Sequence, residues 1–94
     1  MIEGKAVARF GTGDILMTSL CNKNREKCCV VLKNQEAREI GEEVSTDGFC
    51  ISENDTLLVF TSIKSIDVLI DKLFEAKLMM KGTFATEKII EEEY

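Results

Sequence analysis

Two short stretches, Ile15–Leu20 and Cys28–Leu32, carry apolar side chains on both faces. Successive residues of a strand point to opposite sides, so a strand with one wet face alternates apolar with polar. ILMTSL departs from an apolar run only at Thr18 and Ser19, and CCVVL does not depart at all. Both strands therefore require cover on two sides. The chain contains one long amphipathic helix to supply it, at about 63–80. At 100° per residue, Ile63, Ile66, Leu69, Ile70, Leu73, Phe74 and Met80 fall on one broad stripe, and Lys77 lies within it near the end. One helix covers one face. Either the sheet curls strongly or a second copy covers the remainder, and the expected state is a homo-oligomer.

The other elements follow from alternation and turn chemistry. Lys5 to Phe10 alternates, with Lys5, Val7 and Arg9 on one side and Ala6, Ala8 and Phe10 on the other, which predicts a half-buried first strand. Gly11-Thr12-Gly13-Asp14 predicts a tight hairpin turn. Residues 22–27 form a polar connection, and Asn34 to Ser45 reads as a loop that tucks Ile40 and Val44 inward. Thr46-Asp47-Gly48 is a turn signal, followed by a short strand over Phe49–Ser52. Thr56–Phe60 is the strongest strand signal and is too apolar for an exposed edge. Ser62 or Ser65 caps the helix and Gly82 closes it. The expected fold class is α+β: an antiparallel four- to five-stranded sheet with the helix packed on one face. Residues 1–94 read as a single domain, with 83–94 either a short helix or a mobile acidic tail.

Composition removes many chemistries. The 94 residues include no histidine, so Ser–His and Cys–His nucleophile pairs and imidazole-containing zinc sites cannot be built from this chain. The four cysteines, Cys21, Cys28, Cys29 and Cys50, have no C-x-x-C spacing, and each sits among apolar residues. They read as reduced, buried hydrophobes of a cytoplasmic protein. No metal and no cofactor is expected. Asp67, Asp71 and Glu75 stand at i, i+4 and i+8, a row best read as a solvated acidic face. The remaining carboxylates, lysines and thiols form no recognisable acid–base pair, and the chain does not read as an enzyme. No apolar run reaches the roughly 20 residues of a membrane span.

The net charge of −5 is unevenly distributed. Residues 1–38 hold seven basic and four acidic residues (+3), whereas 39–94 hold five basic and thirteen acidic ones (−8). An acidic chain is a poor generic nucleic-acid binder, because that affinity comes from many phosphate contacts. A small anion on a local basic group is compatible with it. The candidate ligand-binding residues are Lys5, Arg9, Phe10, Thr12, Lys23, Arg25, Lys27 and Phe49. The cations would neutralise phosphate, Thr12 and the glycine turn would donate to it, and an aromatic ring would stack a base. Two other classes compete with this reading. One is an acidic protein-binding inhibitor that mimics nucleic acid, and the other is a self-assembling structural protein.

Lys5-Ala6-Val7-Ala8-Arg9-Phe10-Gly11-Thr12-Gly13-Asp14-Ile15-Leu16-Met17, with Arg38-Glu39-Ile40-Gly41-Glu42-Glu43 and Ser65-Ile66-Asp67-Val68-Leu69-Ile70, resembles small accessory proteins of tailed phages. Within that class the layout is similar to anti-CBASS sponges, which sequester cyclic-nucleotide alarm signals. The resemblance implies a non-enzymatic oligomer in the host bacterial cytoplasm that binds its ligand between subunits. No motif carries binding residues across.

Overall fold

A computed structural model describes residues 1–3, 7–42 and 49–83. The chain divides into two units, Met1–Val59 and Phe60–Tyr94. Strands β1 (Ile15–Cys21), β2 (Cys28–Asn34) and β3 (Thr56–Phe60) precede a helix, α1 (Ile63–Met80). The architecture is α+β, with an antiparallel sheet in the order β1-β2-β3.

β1 and β2 form a hairpin in continuous register, from Ile15 opposite Asn34 to Cys21 opposite Cys28. Pairing puts Leu16, Thr18, Leu20, Cys29, Val31 and Lys33 on one face, and Ile15, Met17, Cys21, Cys28, Val30 and Leu32 on the other. Val31, opposite Thr18 in the central strand, is completely buried and is the core of this unit among the described residues. The connection is built by asparagines. Asn22 Oδ1 accepts from the backbone N–H of Glu26 (3.1 Å) and of Lys27 (3.2 Å), and Asn24 Oδ1 accepts from Glu26 as well. Arg25 takes a left-handed backbone, φ 61°, to close the turn.

Five expectations change here. The described residues contain three strands rather than four or five. Val7–Phe10 is exposed and not a strand, because the backbone after it turns to meet the 35–38 segment instead of pairing back on itself. Phe49–Ser52 is not a strand either. The Ser52 N–H donates to Asp55 Oδ2 at 2.8 Å, which spends on a local turn the group that a ladder would use. β3 is the edge of the sheet, and Leu57, Leu58 and Val59 are exposed on it. Ile40 is exposed rather than tucked in, while Val44 and the Thr46-Asp47-Gly48 turn lie outside the described residues.

The helix has the expected bounds. Ser62 holds the N-cap position with extended backbone but makes no side-chain capping bond. Its C-terminus is a Schellman arrangement: Gly82 N–H donates to Met79 O (3.0 Å) and Thr83 N–H to Leu78 O (3.0 Å). Gly82 has φ +71°, a conformation that side chains resist, so this glycine ends the helix by conformation. On the expected stripe, Ile63, Ile70, Leu73, Phe74 and Met80 are exposed. Lys72 pairs with Glu75 at 3.3 Å on the acidic face.

Cys21 and Cys28, directly opposed at the turn end of the hairpin with Cα atoms 4.0 Å apart, form a disulfide. This corrects the expectation of four reduced thiols. The strand register brings the two sulfurs together, and apolar neighbours do not oppose the bond. Closing a loop of this size stabilises by about 2–3 kcal/mol through the unfolded chain. Replacing both cysteines by serine should lower stability by roughly that amount in non-reducing denaturant titrations, and reducing the parent protein should match the double variant.

Candidate functional site

The chain before β1 is held by the chain after β2. Gly13 turns with φ +73°, and a Cβ built there would overlap the Arg38 carbonyl, so no other residue fits without moving that backbone. The same glycine's carbonyl accepts from Arg38 N–H (3.0 Å) and from Gln35 Nε2 (3.0 Å), while Asp14 O accepts from Gln35 N–H (2.9 Å). These bonds fasten residues 35–38 across the start of the hairpin. Two concave surfaces result, and Asp14 and Ile15 line both.

The larger is a cavity of about 550 Å³ between the 10–17 segment and the 39–42 turn. Its walls are Phe10, Ile15, Leu16, Met17 and Ile40, with Asp14, Glu39 and Glu42 as its charged groups. The smaller is a groove of about 260 Å³ with a polar lining of Arg9, Asp14, Asn34, Asn54 and Thr56.

Beside them stands a tight ionic cluster. Lys33 Nζ lies 2.9 Å from Asp55 Oδ2 and 5.4 Å from the centre of the Phe49 ring. Asp55 also accepts from Ser52 through its backbone N–H and its hydroxyl (3.0 Å), and its side chain is only 3% exposed. The Ser52 backbone N–H, and after it the Lys33 ammonium, hold the Asp55 carboxyl below its ordinary value; partial burial pushes the other way.

The structure separates the residues singled out from sequence. Arg9 is exposed and lines the polar groove, while Phe10 is exposed and lines the larger cavity. Thr12 is exposed and lines neither. Lys23, Arg25 and Lys27 belong to the hairpin turn, six residue steps from the Ile15 end of β1, which is about 20 Å of strand. They cannot share a small ligand with Arg9 within one chain. Phe49 already receives Lys33 on its ring. Lys5 lies outside the described residues. Asn34, Asn54 and Thr56 were missed, because 20 or more residues separate Asn34 from the other two and only the β2–β3 pairing brings these strands together. The Gly-x-Gly turn was the available signal; what it packs against was not legible.

Among the described residues there is no cluster of potential metal ligands, and no helix is long and apolar enough to cross a membrane. Comparison with protein-family models, curated proteins and solved structures finds no match to this chain.

The Asp55 carboxyl titrates lower in the folded chain, so its stabilisation is present above the ordinary value of 3.8 and is lost as pH falls through the depressed folded value. Asp55→Asn should therefore flatten the pH dependence of the melting temperature below about pH 4. Melting curves of both proteins across that range test it; parallel slopes would show that Asp55 contributes nothing to acid unfolding.

Proposed function

We propose that this chain is a non-enzymatic binding protein that sequesters a small anionic nucleotide of the cyclic dinucleotide class, and that it works as a homo-oligomer. The observation that carries this reading is the polar groove in which Arg9 stands among Asn34, Asn54 and Thr56. An arginine fork offers five N–H donors in one plane and matches phosphate bidentately. The two amides and the hydroxyl both donate and accept, which suits a sugar or a base edge, and Asp14 accepts from a base amino or ribose hydroxyl. In such a role the chain holds the signal without altering it, and host antiphage signalling loses its messenger.

Oligomerisation is supported by apolar surface that water opposes. β3 presents Leu57, Leu58 and Val59 at a sheet edge, and the backbone groups of such an edge are a template for another strand. The exposed stripe of α1 adds Ile63, Ile70, Leu73, Phe74 and Met80. Light scattering at micromolar concentration should give a particle larger than the 10.5 kDa chain; a particle of that mass would reject the assembly.

Arg9→Ala should weaken cyclic dinucleotide binding roughly ten- to a hundredfold in calorimetric titration, the value of about 1.5–3 kcal/mol for a charge-assisted hydrogen bond. A melting curve of the same variant separates a loss of binding from a loss of fold. Arg9→Lys should recover part of the loss, since a point charge replaces a planar fork. Absence of any melting shift with nucleotides, together with capture of one host protein, would favour the acidic protein-binding inhibitor instead.

A further inference from the structure

The spacing of α1 is stricter than that of an ordinary amphipathic stripe. Ile63, Ile66, Ile70, Leu73, Lys77 and Met80 follow one another at alternating steps of three and four residues. That is the spacing of a helix that packs along its length against another helix. Ile66 is half-buried, the other five are exposed, and no residue of this 18-residue helix is fully buried. A lone helix of that length is marginal in water and draws most of its stability from packing its apolar face. The seam therefore lacks its cover among the described residues. One position in it is not apolar, Lys77, and exposed Asp67 stands at the edge of the seam. Ten residues separate the two, about 15 Å along the axis, so they cannot pair within one helix. Neither takes part in an ion pair among the described residues.

We propose that α1 packs antiparallel against α1 of a second copy, about a twofold axis that passes between Asp71 and Lys72. The proposal rests on the reading of the chain as a homo-oligomer and gives that assembly its interface. In this arrangement Ile63 meets Met80 of the other copy, Ile66 meets Lys77, and Ile70 meets Leu73, each layer occurring twice. The Lys77 stem covers Ile66 of the other copy. Its ammonium reaches Asp67 of that copy, which follows Ile66 directly and flanks the same side of the seam. Two ion pairs result from one symmetric contact. Parallel packing fails on the same residue. Every seam position would then face its own counterpart, so the two Lys77 ammonium groups would oppose each other, with both Asp67 carboxylates about 15 Å away. Lys72 and Glu75, which pair with each other, lie on the side of the helix away from the seam and keep their water.

The test is sedimentation of the full chain at micromolar concentration. Ile70→Glu places a charge in the central layer and should reduce the particle toward the 10.5 kDa chain. Lys77→Glu and Asp67→Lys should each weaken association roughly tenfold, because each turns both attractive pairs into repulsive ones. Mixed in equal amounts, these two variants should associate with each other in preference to themselves and recover the parent affinity, since every cation then faces an anion again. Glu75→Lys makes the same charge change as Asp67→Lys on the far side of the helix and should leave association unaltered. Should Ile70→Glu lose its helix by circular dichroism, the mixing experiment decides alone. A parent particle of 10.5 kDa would overturn the proposal together with the assembly it rests on. An oligomer that survives Ile70→Glu, or charge variants that fail to rescue each other, would overturn the helix pairing and leave the copies to meet at another surface such as β3.

Discussion

The β1–β2 ladder is the interaction on which the rest of the first unit depends. Its register places Val31 opposite Thr18 and buries it, sets Cys21 against Cys28 for the disulfide, and puts Lys33 where Asp55 and Phe49 can reach it. A slip of one residue would reverse every face of the strand and undo all three at once. The same ladder fixes where Asp14 and Gln35 emerge, since they flank the Ile15–Asn34 pair. The bond from Gln35 N–H to Asp14 O continues the hairpin by one step and starts the contact that closes at Gly13 and Arg38.

From that contact come two neighbouring surfaces, a polar groove and a largely apolar cavity. Arg9 lines the polar groove, Glu39 and Glu42 line the cavity, and Asp14 lines both. Coulomb interactions between exposed groups are damped by water, so in the proposed nucleotide site the charge of Arg9 would select the ligand more than tighten the grip. Affinity in the proposed site would have to come from geometry, a planar fork and two amides in the groove.

Exposed apolar surface is the other consequence of this architecture. The chain's aliphatic residues suffice for strands with two apolar faces and for a helix with a broad stripe, yet Val31 alone is fully buried among the described residues. Patches of this kind on β3 and α1 are the places where a second copy would find its contacts.

Local pattern was sufficient for much of this. The bounds of β1, the start of β2, the span of β3 and the whole of α1, 63–80, follow from side-chain periodicity and from Gly82, because neighbours along the chain decide them. The absence of histidine likewise needs no structure to show that this chain supplies no imidazole. Val7–Phe10, the described part of the alternating stretch, is not a strand, since alternation shows what a strand would bury but not whether a partner strand is offered. The pairing of Cys21 with Cys28 required the hairpin register. The groove required Asn34, Asn54 and Thr56 to meet across two strands, and the cavity required a glycine carbonyl to accept from a segment more than 20 residues on. Contacts between residues far apart in the chain depend on how the whole backbone closes, and only the tertiary structure decided them.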